Sequence, residues 1–172
     1  MKPKSPIHPS AERPTLFLFS TDANLAVSAV ASGVDYIIVD LERGDKYNRQ
    51  ANTGFQIGQD TLEDVRRLAI DHNLPVFVRI NPLGPVTKNE IFSALDAGCS
   101  GIMLPMARNG DEISSFLDLV PKDIRTLIQI ETRELTANTD SIRDLPWDFV
   151  HVGLNDLMLS NGSPSIWTAV LD

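Results

Sequence analysis

Six short apolar runs recur along the chain, each parted from the next by a stretch with helical patterning. They are Thr15–Phe19, Tyr36–Leu41, Val76–Ile80, Gly101–Leu104, Thr126–Ile130 and Phe149–Val152. Continuous apolar runs of this length fit strands covered on both faces, the condition of a parallel sheet. Between them, Asp22–Ser32 is alanine-rich and meets a stop at Gly33. Thr61–Asp64 resembles a capping box and opens a segment with Leu62, Val65, Leu68 and Ala69 on one face. Thr87–Glu90 reads as a second capping box, with its helix ending at Gly98. Asp111–Val120 is amphipathic and stops at Pro121, and Ser141–Leu145 is a short turn of helix. Strand–helix alternation of this kind implies a parallel α/β sheet with right-handed crossovers.

Two architectures satisfy that pattern. A closed (β/α)₈ barrel typically needs ~250 residues, and this chain has 172, so length alone favours an open doubly wound sheet. The strand ends argue the other way. Asp40 and Glu42, Arg79 and Asn81, Gln129 and Glu131, and Asn155 and Asp156 all sit at or just beyond carboxyl ends of strands, the barrel arrangement of functional residues. A dinucleotide fold would place a glycine-rich turn after its first strand. Here that turn is Ser20–Asn24, without glycine. The expected fold is therefore an α/β barrel of the (β/α)₈ type, truncated after about six βα units, over residues 14–172. Residues 1–13, with Pro3, Pro6 and Pro9, read as an N-terminal tail. The Arg43–Asp60 connection is longer than most βα loops; it suits a lid, a substrate loop or a subunit contact, and equally a solvated excursion.

Charge and cysteine usage narrow the partners. The formal net charge is −8 with no basic run, which excludes nucleic acid and anionic membrane as main partners. The single cysteine, Cys99, permits no intrachain disulfide. No stretch approaches the ~18 apolar residues of a membrane span, and no secretory signal is visible. Cytoplasmic is the default expectation.

Several polar residues point to chemistry. Glu131 and Asp156 follow consecutive strands, which lie ~4.8 Å apart in a sheet. Their carboxylates can converge on one divalent cation, and oxygen ligands suit Mg²⁺ or Mn²⁺; they can also simply cap strand–helix junctions. Gln129 shares the face of Glu131, one layer deeper. Arg79 interrupts an apolar run and needs an anionic partner: a substrate, a developing enolate, or Asp40 and Glu42 in a purely structural network. The histidines show no metal spacing, and His151, inside a strand, reads as a satisfied core residue. Cys99 has no nearby base, so a nucleophilic role is not expected.

The fragments GVDYIIVDLERG (33–44), VRIN (78–81), GIMLPM (101–106), IQIET (128–132) and VGLNDL (152–157) together resemble the HpcH/HpaI aldolase and citrate lyase family, in order, from about Pro14 to the end. The resemblance implies a (β/α)₈ barrel that binds a divalent metal, Mg²⁺ or Mn²⁺. It implies a lyase that breaks carbon–carbon bonds next to a carbonyl, through a pyruvate enolate or an acyl-thioester enolate. On it, Glu131 and Asp156 match the metal carboxylates, Arg79 the enolate-stabilising arginine, Gln129 a substrate-side position, and Asp40 and Glu42 the acidic pair after the second strand. Backbone N–H groups at Gly153, Leu154 and Asn155 are placed to cradle a substrate carboxylate. The implied partner is a small 2-oxo acid, or an acyl-CoA ester in the alternative branch, with a homo-oligomer as the full-length form. Two departures stand out. Arg43 occupies the position of the aldolase histidine used in proton transfer, which leaves the acid–base residue unassigned. The chain also ends soon after the sixth strand, as a fragment or truncated product would, so a non-catalytic barrel remnant is the competing expectation.

Overall fold

The structure, a computed structural model, describes residues 13–43 and 59–168. The expected tail, save Arg13, and most of the long Arg43–Asp60 connection lie outside the described residues. Six strands form one sheet: β1 (Phe17–Phe19), β2 (Tyr36–Asp40), β3 (Val76–Arg79), β4 (Gly101–Leu104), β5 (Arg125–Ile130) and β6 (Phe149–Val152). Every neighbouring pair is parallel, and the spatial order follows the sequence order. An open doubly wound sheet reverses its order at a switch point. An unreversed order with right-handed crossovers keeps every helix on one side, which is the barrel arrangement.

Strand parity then assigns each side chain. One face carries Ile37, Val39, Val76, Val78, Ile80, Ile102, Leu104 and Ile128, all buried against the helices. These helices are α1 (Ala23–Ala31), α2 (Leu62–Arg66, running on as a wider π-turn to Asp71), α3 (Thr87–Asp96) and α4 (Gly110–Leu119). Ala26, Val65, Leu68, Ile91, Ala94, Ile113 and Phe116 meet the sheet from their side. The opposite face is the barrel interior. Its floor is built by Ile38, Phe77, Met103 and Leu127, with Phe17, Tyr36 and Phe149 packed around them. The rings of Phe17 on β1 and Phe149 on β6 lie 5.3 Å apart, edge to face. These residues belong to the first and last strands of the sheet, so the sheet curls until its two ends touch across the interior. Gly101 permits the packing, because a Cβ there would collide with the Phe77 ring.

Local signals held in part. Asp22 caps α1 by accepting from the N–H groups of Asn24 and Leu25. The Thr61–Asp64 capping box forms in both directions. The Thr87–Glu90 box does not. The Thr87 hydroxyl accepts from Gly84 N–H at 2.8 Å, completing the preceding turn, and Val86 takes the cap position without a side-chain bond. Glu90 instead accepts from the Asn81 amide. Helix α4 begins one residue earlier than expected, with Asn109 accepting from Glu112 N–H. The expected turn at Ser141–Leu145 appears as a 3₁₀ turn over Thr139–Ile142. Two short helices escape the sequence pattern: α5 (Arg133–Thr136) and α6 (Leu154–Asn161). Among the described residues, no helix is long and apolar enough to cross a membrane.

Candidate active site at the strand carboxyl ends

The parity that puts Ile38, Phe77 and Leu127 in the floor places Asp40, Arg79, Gln129 and His151 above them on the same inner face. Glu131 and Gly153 continue it just beyond their strands. A cleft of about 850 Å³ opens there, lined by Asp40, Arg79, Gln129, Glu131, His151 and Asp156 among others. Gly153, Leu154 and Asn155 also face it. Of the residues expected from the sequence, only Glu42 lies behind the lining, 1% exposed.

Arg79 is held in one orientation. Its Nε and Nη2 donate to the two Asp40 carboxylate oxygens at 2.9 and 2.8 Å, a bidentate pair. Nη1 donates to Gln129 Oε1 at 3.2 Å. Glu42 Oε2 stands 3.5 Å from Nε, and the guanidinium lies over the Phe19 ring at 4.9 Å. Burial opposes the cation here, but the bonds and charge of Asp40, then the charges of Glu42 and Glu131, outweigh it and hold Arg79 above its ordinary pKa. Asp40 is fixed in turn, its backbone N–H donating to Asp60 Oδ2 at 2.9 Å. Asp60 also lines the cleft; it ends the long connection and carried no signal of its own in the sequence.

Glu131 and Asp156 are both buried polar residues. Glu131 tops β5, and Asp156 sits in the first turn of α6 rather than on an extended strand end. Burial first, and the Asp156 charge second, push the Glu131 carboxyl up to about 8. One donor offsets this: Met106 N–H gives a 2.9 Å bond to Glu131 Oε1. Met106 reaches it with φ 56°, a left-handed conformation unusual for a side-chain-bearing residue. The Thr132 hydroxyl bonds Ala107 O at 2.7 Å and ties the same loop to the end of β5. Neither link was visible in the sequence, because both are contacts across space.

Gly153 corrects an expectation. Its N–H is already used, donating to Ile130 O at 2.9 Å, so it cannot cradle a substrate carboxylate. Its contribution is space: a Cβ there would collide with Glu131 Oε2 and lie 2.5 Å from Gln129 Nε2. Helix α6 starts without a side-chain cap, and its first residues, Leu154 and Asn155, line the cleft. Arg43 folds back as a staple. Its Nη1 donates to the carbonyls of Asp40 (3.1 Å) and Glu42 (3.3 Å), its Nη2 to that of Asp60, and its N–H to Asn81 Oδ1 at 2.7 Å. It pins the two ends of the long connection together. Cys99 is buried, with its thiol pushed up to about 12 by burial, in keeping with an inert role.

Among the described residues, no cluster of three or more His, Cys, Asp or Glu is gathered for a metal. Two buried carboxylates facing one cleft, one of them raised by burial and by the charge of the other, are nonetheless a donor set that a hard divalent cation fits. Mg²⁺ in particular binds through one or two carboxylates and keeps waters or substrate oxygens for the rest.

Residues 13–165 match the HpcH/HpaI aldolase/citrate lyase family. The chain belongs to that family. A crystal structure of the citrate synthase SbnG superimposes with a TM-score of 0.69 at 19% identity, over 91% of this chain and 70% of that one. A family protein from Burkholderia cenocepacia J2315 gives 0.66 at 19% identity, over 92% and 74%. Both likenesses show the fold. No curated protein matches the chain in sequence.

Proposed function

We propose that this family member is a metal-dependent carbon–carbon lyase acting on a 2-oxo acid through a pyruvate-like enolate. The observation that carries the reading is the pairing of two unlike halves on one cleft: an oriented guanidinium on β3 and two buried carboxylates after β5 and β6. Glu131 and Asp156 would hold the cation, and Gln129 borders them. A divalent cation there supplies Lewis-acid polarisation of the substrate's carbonyl and carboxylate oxygens. Arg79 then acts on charge. Asp40 and Gln129 occupy three of its five N–H donors, and in this reading the remaining ones serve the negative charge that develops on the 2-oxo oxygen. Because Asp40 fixes the guanidinium beforehand, no reorganisation is needed as that charge forms. The Leu154 and Asn155 N–H groups, at the positive end of α6, suit the substrate carboxylate.

The test is a substrate panel on the full chain with Mn²⁺ or Mg²⁺: 4-hydroxy-2-oxo acids followed by pyruvate release, and acyl-CoA esters followed by free thiol. Metal-dependent pyruvate release, lost with a chelator, is expected. Turnover of the thioesters alone would move the reading to the acyl-CoA branch, and no turnover of either would overturn it.

A further inference from the structure

The geometry points to an acid–base group that the sequence left unassigned. A retro-aldol cleavage moves one proton: it leaves the 4-hydroxyl as the C3–C4 bond breaks, and a proton must reach C3 of the enolate. Arg43 cannot carry it, since its donors are bound to backbone carbonyls. Asp40 is bound to Arg79, Cys99 is buried away from the cleft, and Glu131 and Asp156 are reserved for the cation under the reading above. His72 closes α2 and does not line the cleft.

His151 remains. It stands on the inner face of β6, in register with Gln129 of β5, and lines the same cleft as Arg79 and Glu131. Contrary to the expectation of a satisfied core residue, it is exposed, and its imidazole makes no hydrogen bond to any described residue. An imidazole without a partner, bordering a cleft, is placed for a substrate rather than for packing. The charged groups that share the cleft are Asp40 from β2, Arg79 from β3, Glu131 beyond β5 and Asp156 from α6, together with Asp22, which caps α1, and Asp60, which accepts from the Asp40 N–H.

We propose, resting on the lyase reading, that His151 is the proton-transfer residue of this site. Its free ring nitrogen takes the proton of the substrate 4-hydroxyl. The O–H electron pair forms the aldehyde carbonyl, the C3–C4 pair becomes the enolate, and the imidazolium returns the proton to C3. The products are an aldehyde and a 2-oxo acid, with no proton gained or lost overall. Desolvation, and then the Arg79 charge, hold the imidazole below its ordinary pKa, so it enters the cycle neutral.

The test uses the full chain with Mg²⁺, pyruvate and D₂O. Exchange of the pyruvate methyl protons, read by NMR, reports the C3 half of the cycle without needing the natural aldehyde. His151→Asn should slow exchange by about 10²-fold or more, the usual yield of general acid–base catalysis, while Mn²⁺ affinity by calorimetry stays unchanged. Added imidazole should restore part of the rate, which it would not do for a packing defect. The His151 ring signals should also move when pyruvate is added to the Mg²⁺-loaded protein. A retained exchange rate, a loss that imidazole does not restore, or ring signals that stay put would overturn the role of His151 alone. A wild-type chain that exchanges nothing would overturn the 2-oxo acid reading, and the role of His151 with it.

Discussion

Gly153, just beyond β6, lies so close against Glu131 that any side chain at residue 153 would occupy the space of the Glu131 carboxylate. The contact runs to Oε2 and to Gln129 Nε2, and the Glu131 Cβ is itself only 3.0 Å away. Gly153→Ala must therefore displace both side chains, although its backbone conformation is one alanine adopts easily. The variant is expected to fold, and to bind Mn²⁺ about 10- to 100-fold more weakly, the range found when a ligand's supporting contacts are disturbed. Calorimetric titration checks it. Wild-type affinity in Gly153→Ala would mean that Glu131 does not bind the cation from the place it occupies.

Glu131 also ties stability to pH. Its carboxyl titrates near 8 in the fold against ~4.3 in an unfolded chain. A raised carboxyl stabilises the fold fully below the unfolded value, and that contribution is lost as pH rises toward the folded value. The metal-free protein should therefore lose thermal stability between about pH 5 and pH 8. Glu131→Gln should flatten the decline, and saturating Mn²⁺ should do the same by supplying the missing positive charge. At pH 7, Mn²⁺ binding should release about one proton, measurable as a dependence of the calorimetric heat on the buffer's ionisation enthalpy. A pH-independent melting temperature in the wild type would sink the assignment.

The inner face was legible because it breaks the apolar pattern. Arg79 inside VFVRI, and Gln129 and Glu131 at the end of TLIQIE, are polar residues at period two, and period two survives folding unchanged. The six strands were legible for the same reason. What escaped depends on curvature or on contacts across space. Phe17 and Phe149 touch only because the sheet curls. His151 is exposed on the edge strand β6, where Val150 and Val152 are exposed as well. Met106 reaches Glu131 through a left-handed turn that no sequence spacing encodes. The Thr87–Glu90 motif misled because its hydroxyl was claimed by the turn before it.

Arg79→Lys separates charge from shape. Lysine keeps the cation but loses the planar fork that grips Asp40 through two nitrogens and Gln129 through a third. The ammonium would have no fixed aim at the substrate oxygen. On the lyase reading, kcat should fall by an amount on the order of 10²-fold, as for loss of one oriented donor, with a smaller change in Mn²⁺ affinity. Steady-state kinetics beside a metal titration resolve the two effects. An unaltered kcat would make Arg79 a structural ion-pair partner and nothing more.

The barrel floor makes the last prediction, and it concerns stability alone. Gly101 is buried at the start of β4 with the Phe77 ring where its Cβ would be. That ring cannot yield readily. Tyr36 holds it at 4.9 Å, Phe17 at 5.4 Å and Phe149 at 6.0 Å, all near edge-to-face, and each such pair adds about 0.5–1.5 kcal/mol beyond area burial. Gly101→Ala should thus overpack the floor and cost about 1–3 kcal/mol, seen as a lower urea midpoint at unchanged slope. Phe77→Leu alone should also destabilise, by opening a void among the same rings. Combined, the two changes should cost less than their sum, because the added methyl enters space that the ring has left. Strict additivity would show that the methyl is accommodated elsewhere, and that Phe77 is not what keeps residue 101 a glycine.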